Sequence, residues 1–362
     1  MHVAEAPATR EDLCSTLAAA AEAGTPVRFR GGGTKAGWPP TAPPGAMELS
    51  TAGLTQIVEH NAGDLTAVLE AGVPLAEAQA LFAKVGQRLA LDPPDNGATV
   101  GGVVASGDTG PLRGRYGGPR DLVVGMRVAL SDGTLAKTGG KVIKNVAGYD
   151  IAKLFAGSFG TLGAIVEVSV RLHPIAPDSA TALGTARDPD ELGRGAAALG
   201  QAAIEHQGLD IRWQNGRGTV LARFAGAAPG PQAEAAERLL RAEGLSTEIA
   251  EDDEPLWDEQ RAAQRGPLVV KVSSLPTRLP ELVRAVDEHG GSLVGRATLG
   301  LSWARFEEPS VAAVERLRRD FVAAVLDRPA ELDVDPVGPI DPPTRALMQR
   351  VKERFDPAGV CV

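Results

Sequence analysis

Apolar residues recur at helical spacing from Glu11 to Glu22, at Leu13, Leu17 and Ala20 or Ala21, and Gly24 follows, which predicts an opening helix. Val27–Arg30 then alternates apolar and charged residues between Pro26 and Gly31-Gly32-Gly33, the pattern of a short strand entering a tight loop. Leu54–Glu59 and Leu65–Glu70 read as two strands joined by a turn through Asn61 and Gly63. After Pro74, the stripe Leu75, Ala78, Leu81 and Phe82 predicts a helix, with the proline tolerated in its first turn. Leu122–Leu130 and a turn at Asp132–Gly133 suggest paired strands, Ile151–Phe155 a short helix, and Ile165–Leu172 a strand with Val166, Val168 and Val170 on one face.

The texture changes after Pro174. Glycine loops thin out, and helical stretches recur at Asp190–Gln201, Glu234–Arg241, Leu279–Glu288 and Val311–Val325. Strands are expected between them at Ile211–Trp213, Val220–Phe224, Leu268–Val272, Leu293–Gly295 and Leu301–Phe306. This alternation predicts a second α+β domain, built as two related halves without a clean sequence repeat. Pro336–Pro343 reads as a rigid connector to a last amphipathic helix, in which Leu347, Val351 and Phe355 pack on the first domain. The expected divisions are residues 1–175, 176–335 and 336–362.

Composition narrows the functional classes. A chain of 362 residues with 43% hydrophobic and 23% charged residues has material for two domains. A formal charge of −9 has the wrong sign for a general nucleic-acid binder. Cys14 and Cys361 are the only cysteines, so four-thiolate ligation of an iron–sulfur cluster is impossible within this chain. The five histidines, His2, His60, His173, His206 and His289, form no close pair with metal-ligand spacing, so no metal site is expected. No run of 18 apolar residues occurs, and the opening residues lack a basic start and an apolar signal core. A cytoplasmic place is expected, with any contact at the inner face of the membrane made through partners.

Three glycine-rich segments carry the candidate chemistry. In Arg30-Gly31-Gly32-Gly33-Thr34-Lys35, glycines leave backbone N–H groups unobstructed and permit the conformations that turn them inward, a concavity suited to a diphosphate. Thr34 adds a hydroxyl and Lys35 a rim charge. The segment lacks the GxxxxGK[ST] of a P-loop, and a proline-rich stretch follows where a dinucleotide fingerprint needs a helix. In Thr99–Gly107, the small residues Gly101, Gly102, Ala105, Ser106 and Gly107 permit close approach, and Arg113 beyond them suits phosphate or an acidic substrate. The third segment, Lys141–Asp150, offers Lys144 and Tyr149 as pocket residues and leads to Gly157–Gly163. Taken singly, each is also the pattern of an ordinary turn, and the arginines Arg212, Arg296 and Arg305 read as solvent-facing strand residues.

Together, RGGGTK, VGGVVASGDTG with RGRYGGPRD, and KNVAGYDIAKLFAGSFGTLGAI resemble the vanillyl-alcohol-oxidase, or PCMH-type, FAD-binding family, most closely the FAD-binding subunits of bacterial glycolate oxidases. The resemblance covers residues 1–175 strongly and the remainder weakly. It implies an α+β fold: a two-lobed PCMH-type FAD-binding domain, an α+β cap and a C-terminal return segment. It places the FAD diphosphate against Arg30–Lys35, brings Thr99–Gly107 to flavin and diphosphate, and has Gly160, Gly163 and Ile165 support the adenosine end or the adjoining strand.

The same resemblance implies oxidation of glycolate or a related small 2-hydroxy acid, beside a larger catalytic FAD subunit and an iron–sulfur subunit. Some relatives attach FAD covalently through a histidine or a cysteine in these loops. Here Thr34 follows the glycines and no cysteine lies between the two ends, so noncovalent FAD is expected. No catalytic side chain is assigned, and the histidine-rich metal motif of the larger subunits is absent.

Overall fold

The computed structural model describes residues 5–94, 97–140 and 151–362. The first domain has two lobes. Helix α1 (Arg10–Glu22) starts at Thr9, whose hydroxyl accepts from the Asp12 amide at 3.1 Å, and buries Leu13, Leu17 and Ala20. It packs on a parallel pair formed by β1 (Val27–Arg30) and β2 (Met47–Ser50). In the second lobe, β3 (Ile57–Asn61), β4 (Thr66–Glu70), helix α2 (Leu75–Ala83) and the short β5 (Gln87–Arg88) lead to helix α3 (Val100–Ser106). Then come the single turns α4 (Arg113–Tyr116) and α5 (Pro119–Leu122), the hairpin β6 (Val123–Ala129) and β7 (Leu135–Gly139), α6 (Ala152–Phe155), β8 (Ala164–Arg171) and β9 (His173–Pro174).

Five strands form an antiparallel sheet in the order β3-β4-β8-β6-β7. The single valine face expected for β8 is only part of the outcome. Seven of its eight residues are buried: Val168 and Val170 join the core with α2 and α3, whereas Val166 joins the core under α1. The strand is thus shared by both lobes. Two other expectations change at this level. The stretch from Leu54 begins as a turn, with β3 starting only at Ile57, and Thr99–Gly107 is a capped helix rather than a loop.

The second domain is one sheet of eight strands, and its halves repeat. One half runs β10 (Asp178–Ala186), α7 (Pro189–Gln201), β11 (Gly208–Gln214), β12 (Arg217–Gly226), α8 (Pro229–Ala242) and β13 (Ser246–Ala250). Helix α9 (Glu254–Ala262) links it to the other half, β14 (Leu268–Ser273), α10 (Leu279–Asp287), β15 (Ser292–Arg296), β16 (Leu301–Phe306), α11 (Val311–Asp320) and β17 (Val322–Val325). The sheet order β13-β10-β12-β11-β15-β16-β14-β17 joins the two βαββαβ halves through β11 and β15. The helix expected over 311–325 is in fact a helix followed by an edge strand. Ser310 caps α11, and the chain turns extended at Phe321 to pair with β14.

Helix α12 (Pro342–Phe355) returns to the first domain through its last turns. Phe355 meets Phe155 edge-on at 5.3 Å, while Leu347, expected in the same stripe, is 54% exposed. Lys352 Nζ donates to the carbonyls of Thr161 at 2.7 Å and Cys361 at 2.5 Å and pairs with Asp356. Cys361 then bridges in parallel to Val27 beside β1. Burial, with the Asp356 charge beside it, pushes the Cys361 thiol up to about 12, so it is an inert packing group.

The seam between the domains joins an apolar cluster, Trp38 and Phe159 against Val294, Leu301 and Trp303, to buried polar contacts. Arg296 and Asp210, paired at 2.6 Å, are 1% and 0% exposed, and the Arg296 Nε donates to the Gly110 carbonyl at 3.0 Å. A solvent-facing role for Arg296 is therefore corrected: alternation along β15 hid that its outer face lies against the first domain.

Asp92 lies on the same seam, accepting from the Leu112 amide at 3.2 Å. Burial pushes its carboxyl up to about 7, against the opposing pull of Arg296, Arg261, the Leu112 amide and Arg88. The folded chain therefore holds this proton more tightly than the unfolded chain. Stability from this group is complete below the unfolded value of about 3.9, declines as pH rises toward 7, and stays low above it. We expect Asp92→Asn to flatten the fall in melting temperature between pH 5 and pH 8; parallel curves for parent and variant would refute this.

Candidate functional site

The end of β1 opens into the first glycine loop. The amides of Gly31, Gly32, Gly33 and Thr34 donate no hydrogen bond to any described residue. The loop is walled closely. A Cβ on Gly31 would lie 2.3 Å from the Thr99 hydroxyl, and one on Gly32 would lie 2.0 Å from the Gly97 carbonyl oxygen. Gly33 has φ +76°, which a side chain would strain. Bare donors in a concave, glycine-lined turn form an anion cradle.

Opposite this loop stands α3. Its first-turn amides are already engaged: Val100 donates to Val73 at 2.9 Å, Gly101 to Ala71 at 2.8 Å, and Gly102 to the Thr99 hydroxyl at 3.2 Å. The helix therefore acts as a wall, and its small residues set the distance. Gly101 packs so tightly that a Cβ would fall 2.5 Å from that of Ala71. Gly107 ends the helix in the left-handed conformation, φ +65°.

A cleft of about 860 Å³, counted to its open mouth, lies between these elements. Arg30 through Lys35, Thr99, Gly101, Gly102, Ala105, Ser106, Gly160, Gly163 and Ile165 all line it. Gly160, at φ +83°, leaves room for Phe29, whose ring a Cβ would approach to 2.8 Å. Two expected residues stand elsewhere: Gly107 lies beyond the lining, and Arg113 sits on α4, near Asp121 and Arg296. Lys144 and Tyr149 lie outside the described residues.

The cleft also includes residues the sequence reading passed over. Arg28 lines it and donates to the Ala36 carbonyl at 2.5 Å, and Thr51 and Phe159 complete the wall. Alternation in β1 already placed Arg28 and Arg30 on one face, the available signal for Arg28. Lys35 is the link to the cap. It pairs at 3.2 Å with Asp108, which is 3% exposed and also holds Arg265 of the cap at 2.9 Å. Arg265 stacks 4.5 Å from the Trp38 ring, whose indole donates to Asp327 at 2.8 Å.

Beside this bridge, Lys271 on β14 is largely enclosed. Burial and the nearby Arg113 charge hold its ammonium below the usual lysine range, with Asp108 opposing. Among the described residues no three His, Cys, Asp or Glu side chains converge on a metal position, and no helix is long and apolar enough to cross a membrane.

This geometry fits a flavin dinucleotide: free donors for a diphosphate, close backbone walls and no histidine or cysteine in the described lining. The fold and the cradle define a flavoprotein. A family profile described as "FAD binding domain" matches residues 2–139. Over 186 residues the chain is 33% identical to an uncharacterized FAD-linked oxidoreductase of Mycobacterium tuberculosis, covering 51% of this chain and 40% of that protein. It is 41% identical over 120 residues to glycolate oxidase subunit GlcE of Escherichia coli, covering 33% and 34%. With glycolate oxidase subunit GlcD of Bacillus subtilis it shares 36% over 176 residues, covering 47% and 36%.

These matches thus span less than half the length of the curated relatives. Among solved structures, an alkyldihydroxyacetonephosphate synthase superposes over 98% of this chain and 75% of its own, with TM-score 0.72 and 14% identity, a likeness of fold. Residues 2–139 carry a FAD binding domain within an α+β fold of the PCMH, vanillyl-alcohol-oxidase-like type, and FAD is the cofactor.

Proposed function

We propose that this chain is the FAD-carrying subunit of an enzyme oxidising glycolate, or a related small 2-hydroxy acid, to the 2-oxo acid. The observation that carries the reading is the cleft between the bare amides of Gly31–Thr34 and the wall of α3, which suits FAD. Relatives named as glycolate oxidase subunits and as D-lactate dehydrogenases support the substrate class. Bound FAD supplies a two-electron acceptor. The chain's own residues do the rest: the glycine cradle holds the diphosphate, α3 sets its distance, and Lys271 with Arg113 draws the substrate carboxylate to the seam.

The partners in this reading are a larger FAD subunit and an iron–sulfur subunit, which take the electrons onward. Noncovalent attachment predicts that acid releases the flavin intact. The deciding experiment is anaerobic addition of glycolate and of D-lactate to the flavin-loaded chain, alone and with its co-purified partners. Bleaching of the flavin absorbance near 450 nm by a 2-hydroxy acid, in either preparation, supports the reading. Flavin that stays oxidised in both preparations overturns it, leaving a FAD-stabilised assembly subunit. Bleaching of the isolated chain would identify an autonomous dehydrogenase.

A further inference from the structure

A second cleft opens where β5 and the 89–93 segment of the first domain face β12 and α9 of the cap. It measures about 860 Å³ to its open mouth and shares no lining residue with the cofactor cleft. Leu75, Leu89 and Leu112 supply apolar wall, and three guanidinium groups, Arg88, Arg223 and Arg261, border it.

Two of these cations are neutralised. Glu254 bridges Arg223 at 2.8 Å and Arg261 at 2.6 Å, while Asp253 adds a second contact to Arg223 and Asp258 one to Arg261. Arg88 is different. Among the described residues its guanidinium makes one hydrogen bond, 3.4 Å to the Tyr116 hydroxyl, lies 5.4 Å from that ring, and its Nε is buried without an acceptor. The Arg223 Nε is buried without an acceptor as well.

The other polar groups do not fill this need. Gln79 turns both ends of its amide to backbone, donating to the Leu89 carbonyl at 2.6 Å and accepting from the Leu89 amide at 3.1 Å. Asp92 is held by the Leu112 amide and stands 3.9 Å from Arg261. A guanidinium held by one long hydrogen bond, bordering a cleft edged by Leu75 and Leu112, matches a carboxylate carrying a short carbon body.

We infer that this interdomain cleft binds a small carboxylate, anchored by Arg88 and housed by the surrounding leucines. The ligand contacts both domains, so its binding tightens their seam. This site is separate from the flavin and stands whether or not 2-hydroxy acids are the substrate.

The test uses the flavin-loaded full chain and propionate, which has no hydroxyl to oxidise, with inorganic phosphate as a second probe. Calorimetry should show one propionate site, with no change in the flavin spectrum. Arg88→Met should weaken it at least tenfold and Arg88→Lys by less, because lysine keeps the charge and loses the fork. Arg115→Met, which removes an exposed arginine paired with Glu205 at 3.0 Å, should leave it unchanged. Melting temperature and flavin content verify that each variant folds. No propionate binding to the parent, equal binding by Arg88→Met, or binding of phosphate alone would overturn the assignment.

Discussion

Gly32→Ala is expected to yield a folded chain that no longer retains FAD. The added Cβ would sit 2.0 Å from the Gly97 carbonyl oxygen, and both sides of that clash are backbone, so no rotamer change relieves it. The loop must open by an ångström or more, which separates the donors of Gly31 to Thr34 from the α3 wall. A loss on the order of 100-fold in FAD affinity, about 3 kcal/mol, follows if half of the cradle's donors lose their geometry. Gly37→Ala is the matched control, since a Cβ there meets nothing within 4 Å. Absorbance of the purified proteins and fluorescence titration with FAD read the difference. The melting temperature of Gly32→Ala should stop responding to added FAD, whereas that of Gly37→Ala should respond like the parent. Equal flavin content in both variants would remove the glycine loop from the cofactor site.

Arg296→Met should produce the largest loss of stability. The guanidinium holds four partners at the seam: Asp210, the Gly110 carbonyl, the Gln264 side chain and the face of Trp303 at 4.7 Å. Asp210 is wholly buried, and burial already raises its pKa against the pull of Arg296. Without the arginine it remains as an uncompensated carboxyl group. Breaking a buried pair from one side costs about 3–5 kcal/mol, which lowers the melting temperature by roughly 4–7 °C in a chain of this size. Adding Asp210→Asn removes the stranded charge, so the double variant should melt above Arg296→Met alone. A double variant that melts lower, or a single variant within 2 °C of the parent, as read by calorimetry, would show that the pair does not hold the seam.

These two residues mark the limits of reading the chain without its structure. The tight loop at Gly32 was legible because the requirement is local: a strand signal at Val27–Arg30 runs into three glycines, although the same pattern also suits an ordinary turn. The same holds for α1, α2, β14, β16 and the repeated halves of the cap, where apolar spacing over one element declares its buried face. Helix α3 was misread as a loop, since Gly101, Gly102 and Gly107 are poor helix formers on local grounds. Packing reverses that preference: Val100, Val103 and Val104 are wholly buried, and only glycine fits against Ala71. Strand β17 was absorbed into α11 for a similar reason, because alanine-rich Val322–Val325 becomes a strand only by pairing with β14.

Apolar periodicity is a property of neighbouring residues, and from it the α+β architecture could be stated; the flavin-binding class came from the resemblance of the glycine-rich segments to a known family. The partners of Arg296, the bridge from Lys35 through Asp108 to Arg265, and the open guanidinium of Arg88 join residues far apart in the chain, some more than 150 positions distant. Their roles depend on which faces of two domains meet, and burial at that meeting turns ordinary strand arginines into a clamp and an anion site. Charge in a linear pattern has no dielectric around it. Folding supplies one, and with it the energies that separate a solvated side chain from a functional one.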